Sequence, residues 1–467
     1  MSNRRRRNVV SCFLRNGVLV EGVENVCNAV YIHFSSHFQA RLVERPSMAG
    51  LQFHSLSYGE GVSLVKPFSV EEVKATVWDC DNYKCPGPDG ISFGFIKDFL
   101  EILKEDVMSF LVEFHMNGRL AKGINSTFIA LIPKVDSLQR LNDFRPIYLV
   151  GSSMYKILSK VISNRLRSII GLVISDSQSA FIKGRQILEG ILVANEIVDE
   201  ARQCNKEILL FKVDFEKAYD SIDWAYLDEI MILMGFPTLW RKWIKECIIT
   251  TTTSLLVNGS PTAEFPLERG LRQGDLLSPF LFLLAVEGFH VLMELFSANN
   301  LFTGYQMGRG DSIVVSHLQF ADDTLILGEK SWVNVKGMCA AFIPFESLSG
   351  LKVTFSKSQL VGVNVERSWL LEAAKVLNCR VDALPFVYLG LPICGNARRL
   401  SFWVPVIDRI KSRLSEWKSK HLSLGGRLVL LKSVLSSLPV YALSFFKAPT
   451  CIVSSIESIL NCFFFLE

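Results

Sequence analysis

Apolar and polar residues alternate at two different periods along this chain, and the changes of period mark out its elements. Across residues 316–328, apolar β-prone positions run up to Ala321-Asp322-Asp323 and resume at once beyond them. That pattern predicts a β-hairpin with two carboxylates at or beside its tip. Residues 208–215 predict a strand with Phe211, Val213 and Phe215 on one face and Lys212 and Asp214 on the other. Residues 128–132 predict a short strand that Pro133-Lys134 ends. Helical spacing covers 26–38, 156–170, 189–202 and 224–234. Ser69 opens a further helix with Glu71 and Glu72 in its first turn, and Asp223 is a fair N-cap for the helix that Gly235 and Pro237 stop.

The most apolar stretches, 276–296 and 428–446, need separate treatment. The first carries Glu287, His290 and Glu294, and the second Lys432 and Pro439. Both read as buried helices and not as membrane spans. Ser278 as N-cap with Pro279 at the first helical position would start the first of them. In the C-terminal part Ile407, Ile410, Leu414 and Trp417 form one apolar stripe. Arg409, Lys411, Arg413, Lys418 and Lys420 take the other faces. Either a duplex-tracking surface or a plain amphipathic helix pair fits that pattern.

Composition narrows the class. At 467 residues and 49% hydrophobic, the chain can bury a large core and hold two or three domains. A net charge of +4 does not by itself announce a nucleic-acid binder, so any basic groove must come from local clustering. Eleven cysteines without regular CxxC pairs read as reduced core residues, neither a disulfide frame nor a zinc site. Arg4 to Arg7 are followed by no apolar signal core; they read as a solvated basic tip or as a nuclear-import or RNA-contact patch.

The candidate chemistry lies in three carboxylates. Asp322-Asp323 alone is compatible with a solvated turn. Asp214, ending a buried strand, changes the picture, because a carboxylate there is costly unless used. One Asp at a strand end and two at a hairpin tip can share two divalent cations about 4 Å apart. Mg²⁺ suits such a site, since it takes carboxylates and substrate phosphates and keeps some water. One ion would activate an attacking 3′-hydroxyl and the other would stabilise departing pyrophosphate.

Phe320-Ala321-Asp322-Asp323 resembles the aromatic-x-Asp-Asp box of reverse transcriptases. Residues 211–224, with Asp214, Tyr219 and Asp220, resemble their first catalytic block. The wording is most similar to non-LTR (LINE-type) retrotransposon polymerases of the plant type, from about residue 84 onward. The resemblance implies an α/β (α+β) right-hand polymerase with fingers, a palm of antiparallel sheet backed by helices, and a helical thumb. It implies an RNA-directed DNA polymerase whose partners are an RNA template, a DNA primer and deoxynucleoside triphosphates. Two Mg²⁺ ions, with Mn²⁺ as a substitute, would be held by Asp214, Asp322, Asp323 and the carbonyl of Phe215. The expected layout is a connector over 1–79, fingers over 80–205, palm over 206–395 and a truncated thumb over 396–467. The reverse transcriptase domain itself would begin about 115–130 and end about 395. The chain is expected to be an intracellular, soluble piece or decayed copy of a polyprotein, lacking the upstream endonuclease. A catalytically inactive RNA-binding relic remains the alternative.

Further blocks follow the same resemblance. Pro86 to Gly90 is a turn-rich run that would open the fingers. Arg145 would contact template or triphosphate, or else brace the fingers through a carboxylate. Lys156, Lys160, Arg165 and Arg167 give a basic helix face suited to phosphate or simply to solvent. Lys183 and Arg185, beside Gly184, are candidates for the triphosphate. Tyr219 would lie under the incoming sugar and exclude a 2′-hydroxyl, unless it is only a packed ring. Gln273 and Gly274 would contact template and nucleotide, with Gly270 and Gly274 letting backbone approach a ligand closely. Leu276 departs from the proline usual in the family, which leaves that loop's placement open. Lys357 would sit near the triphosphate or be a surface lysine. Tyr388, Leu389 and Gly390 would form the hairpin that grips the primer, or only a strand end. No RNase H-like carboxylate set or zinc-finger spacing is visible.

Overall fold

The computed structural model describes residues 12–15, 18–40, 45–82, 86–134, 140–308, 313–416 and 422–465. Arg4 to Arg7, Trp417, Lys418 and Lys420 lie outside them.

The fold is organised by one strand, Ile208–Val213. Ile208, Leu209, Leu210 and Phe211 are all fully buried, as expected of a strand covered on both faces. It is the middle of a five-stranded sheet ordered His317–Phe320, Asp323–Glu329, Ile208–Val213, Gln359–Val363, Arg380–Val381. The first four strands are antiparallel. The short Arg380–Val381 strand joins parallel, a departure from the purely antiparallel expectation.

Strand alternation divides the protein into two cores. Leu209, Phe211, Val213, Ile326 and Leu360 face helices Ser278–Ala298 and Trp332–Ser349. Ile208, Leu210, Leu325, Leu327 and Val361 face helix Ile187–Gln203 and the C-terminal helices through Trp403, Ile410 and Leu435. Helix Ser278–Ala298 packs closely on helix Trp224–Leu233 because Gly288 lets Tyr226 in; an added Cβ would sit 2.1 Å from the tyrosine oxygen. Tyr226 then donates to the Ala285 carbonyl at 2.8 Å.

A second sheet lies mainly in the span expected to be fingers. Thr127–Pro133 pairs antiparallel with Phe144–Leu149 and parallel with Thr252–Val257. The last strand, inside the span expected to be palm, therefore stitches the two regions together. The expected helices are present as Val23–His37, Val70–Trp78, Ser153–Val173, Ile187–Gln203 and Trp224–Leu233. Ser69 and Asp223 both cap as expected.

Two expectations shift. Ser278 is the first residue of its helix and does not cap it; Asp275 instead accepts the Leu277 N–H at 3.0 Å. The stretch 428–446 is not a buried helix. It is broken by a wide turn at Leu431–Leu435, and Leu428, Val429, Val440 and Leu443 are exposed. Two segments, Ser278–Ala298 and Leu424–Leu443, have the length and apolarity of a bilayer span, and the first is mostly buried inside the protein. Both are weak candidates for one.

Candidate active site

Register brings the three carboxylates together. Val213 pairs with Thr324, and Phe320 with Asp323. Asp214, one position beyond the last pair, therefore stands beside Asp323 at the end of the sheet. The hairpin turns at Ala321, which adopts φ 53°. That left-handed turn throws Asp322 and Asp323 outward from two strands whose other residues are largely buried.

Electrostatics record the crowding. Asp322 is raised above the usual carboxylate range by burial and by the Asp214 charge, against its own backbone amide and Arg145. Asp323 is raised by burial and by Asp322 and Asp214, with Lys212 opposing. The side chains are open to solvent on the cleft side, so their desolvation comes from the walls around them. Such a group of anions is complementary to cations.

Cations line the same cleft. Arg145, Lys134, Lys217 and Lys357 share with Asp214, Asp322, Tyr219 and Gln273 a cavity of about 420 Å³. Lys134 is lowered by burial and by repulsion from Arg145 and Lys357, partly offset by Asp220 and Asp143. Lys217 is lowered by burial, with Asp220 and Glu216 opposing. Mutually repelling ammonium groups favour a polyanion between them. Lys134 and Lys217 were not singled out in the sequence. The signal available was Lys134 directly after the strand Thr127–Pro133, whose antiparallel partner strand Phe144–Leu149 carries Arg145.

Tyr219 also lines the cavity. Its ring stacks on Phe282 at 4.4 Å and 14°, and its carbonyl accepts the Leu271 N–H at 2.7 Å. Burial and Asp322 both raise its phenol. Gln273 is fixed from the fingers side, where its carbonyl accepts the Tyr148 N–H at 3.1 Å. The Gln273-Gly274 loop is held despite Leu276, because Arg272 is buried in a network beneath it. Arg272 pairs with Asp275 at 2.5 Å and donates to Asn125 at 2.6 Å, to Cys247 at 3.2 Å and to Tyr155.

Other residues go elsewhere. Gly270 and Gly274 make close approaches to the protein's own backbone: added Cβ atoms would meet the Asp220 and Tyr148 carbonyls at 2.6 and 3.0 Å. Arg185 is taken up by the carbonyls of Ile174, Ser175 and Gln178 and by Asp176. It braces a loop and does not line the cavity. Lys183 is exposed outside it. On the fingers helix, Arg165 binds Glu72 and the carbonyls of Leu64, Lys66 and Pro67, while Lys160 pairs with Asp79 at 2.7 Å. Those cations are structural braces. Phe215 lines the cavity while its ring packs on Phe342 and Phe345.

The hairpin Phe386–Tyr388 with Leu391–Ile393 forms as expected. Tyr388 is buried, reaching the Leu318 carbonyl at 3.4 Å, so its ring packs the hairpin down and cannot face a primer. Leu389 (φ 49°) and Gly390 (φ 81°) form the tight tip. Tyr441 donates to the Leu389 carbonyl at 2.8 Å and Lys212 to that of Val387 at 2.9 Å.

Comparison with known proteins gives the family. The model of the reverse transcriptase (RNA-dependent DNA polymerase) family matches residues 132–393, more than half of the chain. The chain belongs to the reverse transcriptase family. Among curated relatives of this reverse transcriptase, a transposon TX1 uncharacterized 149 kDa protein of Xenopus laevis is 26% identical over 389 residues, 80% of this chain and 28% of that protein. A retrovirus-related Pol polyprotein from the type-2 retrotransposable element R2DM of Drosophila melanogaster is 26% identical over 318 residues, 68% of this chain and 28% of that protein. The chain thus spans 28% of the length of either relative. A solved telomerase of Candida albicans, with a fragment of telomeric RNA, superposes with a TM-score of 0.38 at 12% identity, over 78% of this chain and 63% of that one.

Proposed function

We propose that this chain is the RNA-directed DNA polymerase of a LINE-type retrotransposon, extending a DNA primer on an RNA template. One observation carries the reading: the Val213–Thr324 pairing sets Asp214 beside Asp322-Asp323, at a cavity that Lys134, Arg145, Lys217 and Lys357 also line. Anions for metal and cations for polyphosphate then line one cavity.

The donor set fits Mg²⁺. Its members are hard oxygens, and their mutual repulsion awaits a cation. Among the described residues no three His, Cys, Asp or Glu side chains are grouped closely enough to hold an ion alone. Mg²⁺ commonly takes one or two carboxylates and completes its shell with substrate phosphate and water. Asp214, Asp322, Asp323 and the Phe215 carbonyl would hold two such ions, with Mn²⁺ as a substitute. When bound, they would supply a more acidic 3′-hydroxyl and neutralise charge on the leaving pyrophosphate.

The protein's own groups orient and select. Lys134, Arg145, Lys217 and Lys357 bind the triphosphate by charge-assisted hydrogen bonds. Tyr219, fixed by Phe282, blocks the space of a 2′-hydroxyl. Gln273 and Gly274 border the nucleotide and template, and the Leu389-Gly390 tip borders the primer. No protein nucleophile is needed, since catalysis is positioning and charge neutralisation. The enzyme acts inside the cell, where its nucleic-acid partners are.

Primer extension on an RNA template with the purified chain tests this. Mg²⁺-dependent DNA synthesis that vanishes in Asp322→Asn is the expected result. Template binding without any extension would mark an RNA-binding relic, and extension on DNA alone would mark a DNA-templated enzyme.

A further inference from the structure

We propose that Gln178 is the positioning residue that sets the Asp322-Asp323 hairpin, acting through the backbone of Ala321. The inference rests on the polymerase reading above. It concerns a side chain with no solvent exposure, which cannot touch substrate.

The geometry is specific. Gln178 Oε1 accepts the N–H of Ala321 at 2.9 Å and that of Ala180 at 3.0 Å. Two converging donors fix which end of the amide is oxygen. Nε2 then faces the Ala321 carbonyl at 3.5 Å. One side chain thus satisfies both backbone groups of a residue held at φ 53°. A left-handed alanine is uncommon and persists when its surroundings over-determine it. Ala321 immediately precedes the two carboxylates, so its conformation sets their direction.

Gln178 is itself held rigidly. Its loop lies parallel against the outer strand of the palm sheet at Gln319. There the Gln319 N–H donates to the Ser177 carbonyl at 2.7 Å, and the Ser179 N–H donates to the Gln319 carbonyl at 3.0 Å. Arg185 binds the Gln178 carbonyl at 2.6 Å and the Ser175 carbonyl at 2.5 Å. A chain of contacts therefore runs from Arg185 through Gln178 to Ala321 and ends at the carboxylates. Arg185, expected to bind triphosphate, serves here as the anchor of the clamp.

Gln178→Met tests the clamp, because it keeps volume while removing both polar atoms. Hydrogen exchange at the Ala321 amide and primer extension are read on the same preparations of the full chain. The expected result is Ala321 exchange faster by about tenfold or more, with exchange in the core of helix Ser278–Ala298 unchanged. Extension rate should fall by about 10- to 100-fold while the KM for deoxynucleotide stays within about twofold. Gln178→Ala should behave alike; should it fail to fold, Gln178→Met alone decides. An Ala321 amide as protected as in wild type, or wild-type extension by Gln178→Met, overturns the proposal. A wild-type chain that extends nothing would defeat the polymerase reading, whereas Ala321 exchange would still decide whether the clamp exists.

Discussion

The Asp214 N–H donates to the Ser358 hydroxyl at 3.1 Å, and that hydroxyl donates to the Thr354 carbonyl at 3.1 Å. The Thr354 N–H returns to the Asp214 carbonyl at 2.7 Å. Both backbone groups of Asp214 are thereby fixed from the segment that follows helix Trp332–Ser349. Ser358→Ala should cost about 1–2 kcal/mol of stability and slow primer extension without weakening template binding. Denaturant unfolding beside extension kinetics checks this, and an unaltered extension rate would remove Ser358 from the positioning of Asp214.

Tyr219 is a rigid plate because Phe282 stacks beneath it. Tyr219→Val should raise ribonucleotide incorporation relative to deoxynucleotide by about tenfold or more. Loss of the ring pair should cost about 1 kcal/mol of stability. Single-nucleotide extension with matched ribo- and deoxynucleotides measures the ratio; no change would show that the ring does not meet the sugar.

Lys134 is crowded by Arg145 and Lys357 until an anion arrives. Lys134→Ala should raise the KM for deoxynucleotide by about tenfold, corresponding to one charge-assisted contact of about 1.4 kcal/mol. The extension rate at saturation should change less. Steady-state kinetics separates the two parameters, and an unchanged KM would move the triphosphate away from these cations.

Arg272 and Asp275 are both almost fully buried, at 4% and 3% side-chain exposure. Arg272→Met strands the Asp275 carboxylate without its main partner. Unfolding should become easier by about 3–5 kcal/mol. The double change Arg272→Met with Asp275→Leu should recover much of that loss. Chemical denaturation of the two variants tests both statements.

Glu287 predicts a pH dependence. Burial pushes its carboxyl up to about 7 in the folded protein, although the Ser175 N–H and hydroxyl pull it down. The folded state therefore binds this proton more tightly than the unfolded chain. The resulting stability is complete below about pH 4.5, the unfolded value, and is lost as pH rises through about 7. Glu287→Gln should flatten that part of the curve and, at pH 8, be more stable than wild type by on the order of 3 kcal/mol. Difference melting curves from pH 5 to pH 8 read this out. Buried Asp220, also pushed up to about 7, gives the wild type the same sign and should survive in the variant.

The carboxylate strand and hairpin were legible because their signals are local: an apolar run, a break and a resumption. Tyr219 and Gln273 were legible as members of contiguous blocks. Arg185 and Tyr388 were misread because their partners are not visible in their own segments. Arg185 stands beside Gly184 like a phosphate ligand, yet the carbonyls that claim it belong to the turn before it. Tyr388 sits at a hairpin end, but the strand it packs on lies 70 residues earlier. Of the cations lining the cavity, Arg145 and Lys357 are legible from their blocks, whereas Lys134 and Lys217 are not, because the set is assembled from distant segments. The amphipathic C-terminal stretch misled differently: apolar content was taken for burial, while Val429 and Val440 face outward.

The strip Ser177–Ser179 along His317–Phe320 also has a bearing on solubility. A palm sheet ending in a bare hairpin would offer its outermost amides and carbonyls to any passing extended peptide. Here the Gln319 amide and carbonyl are already taken within the chain. Cutting or lengthening that loop should bare this edge and promote self-association, even with every aspartate in place.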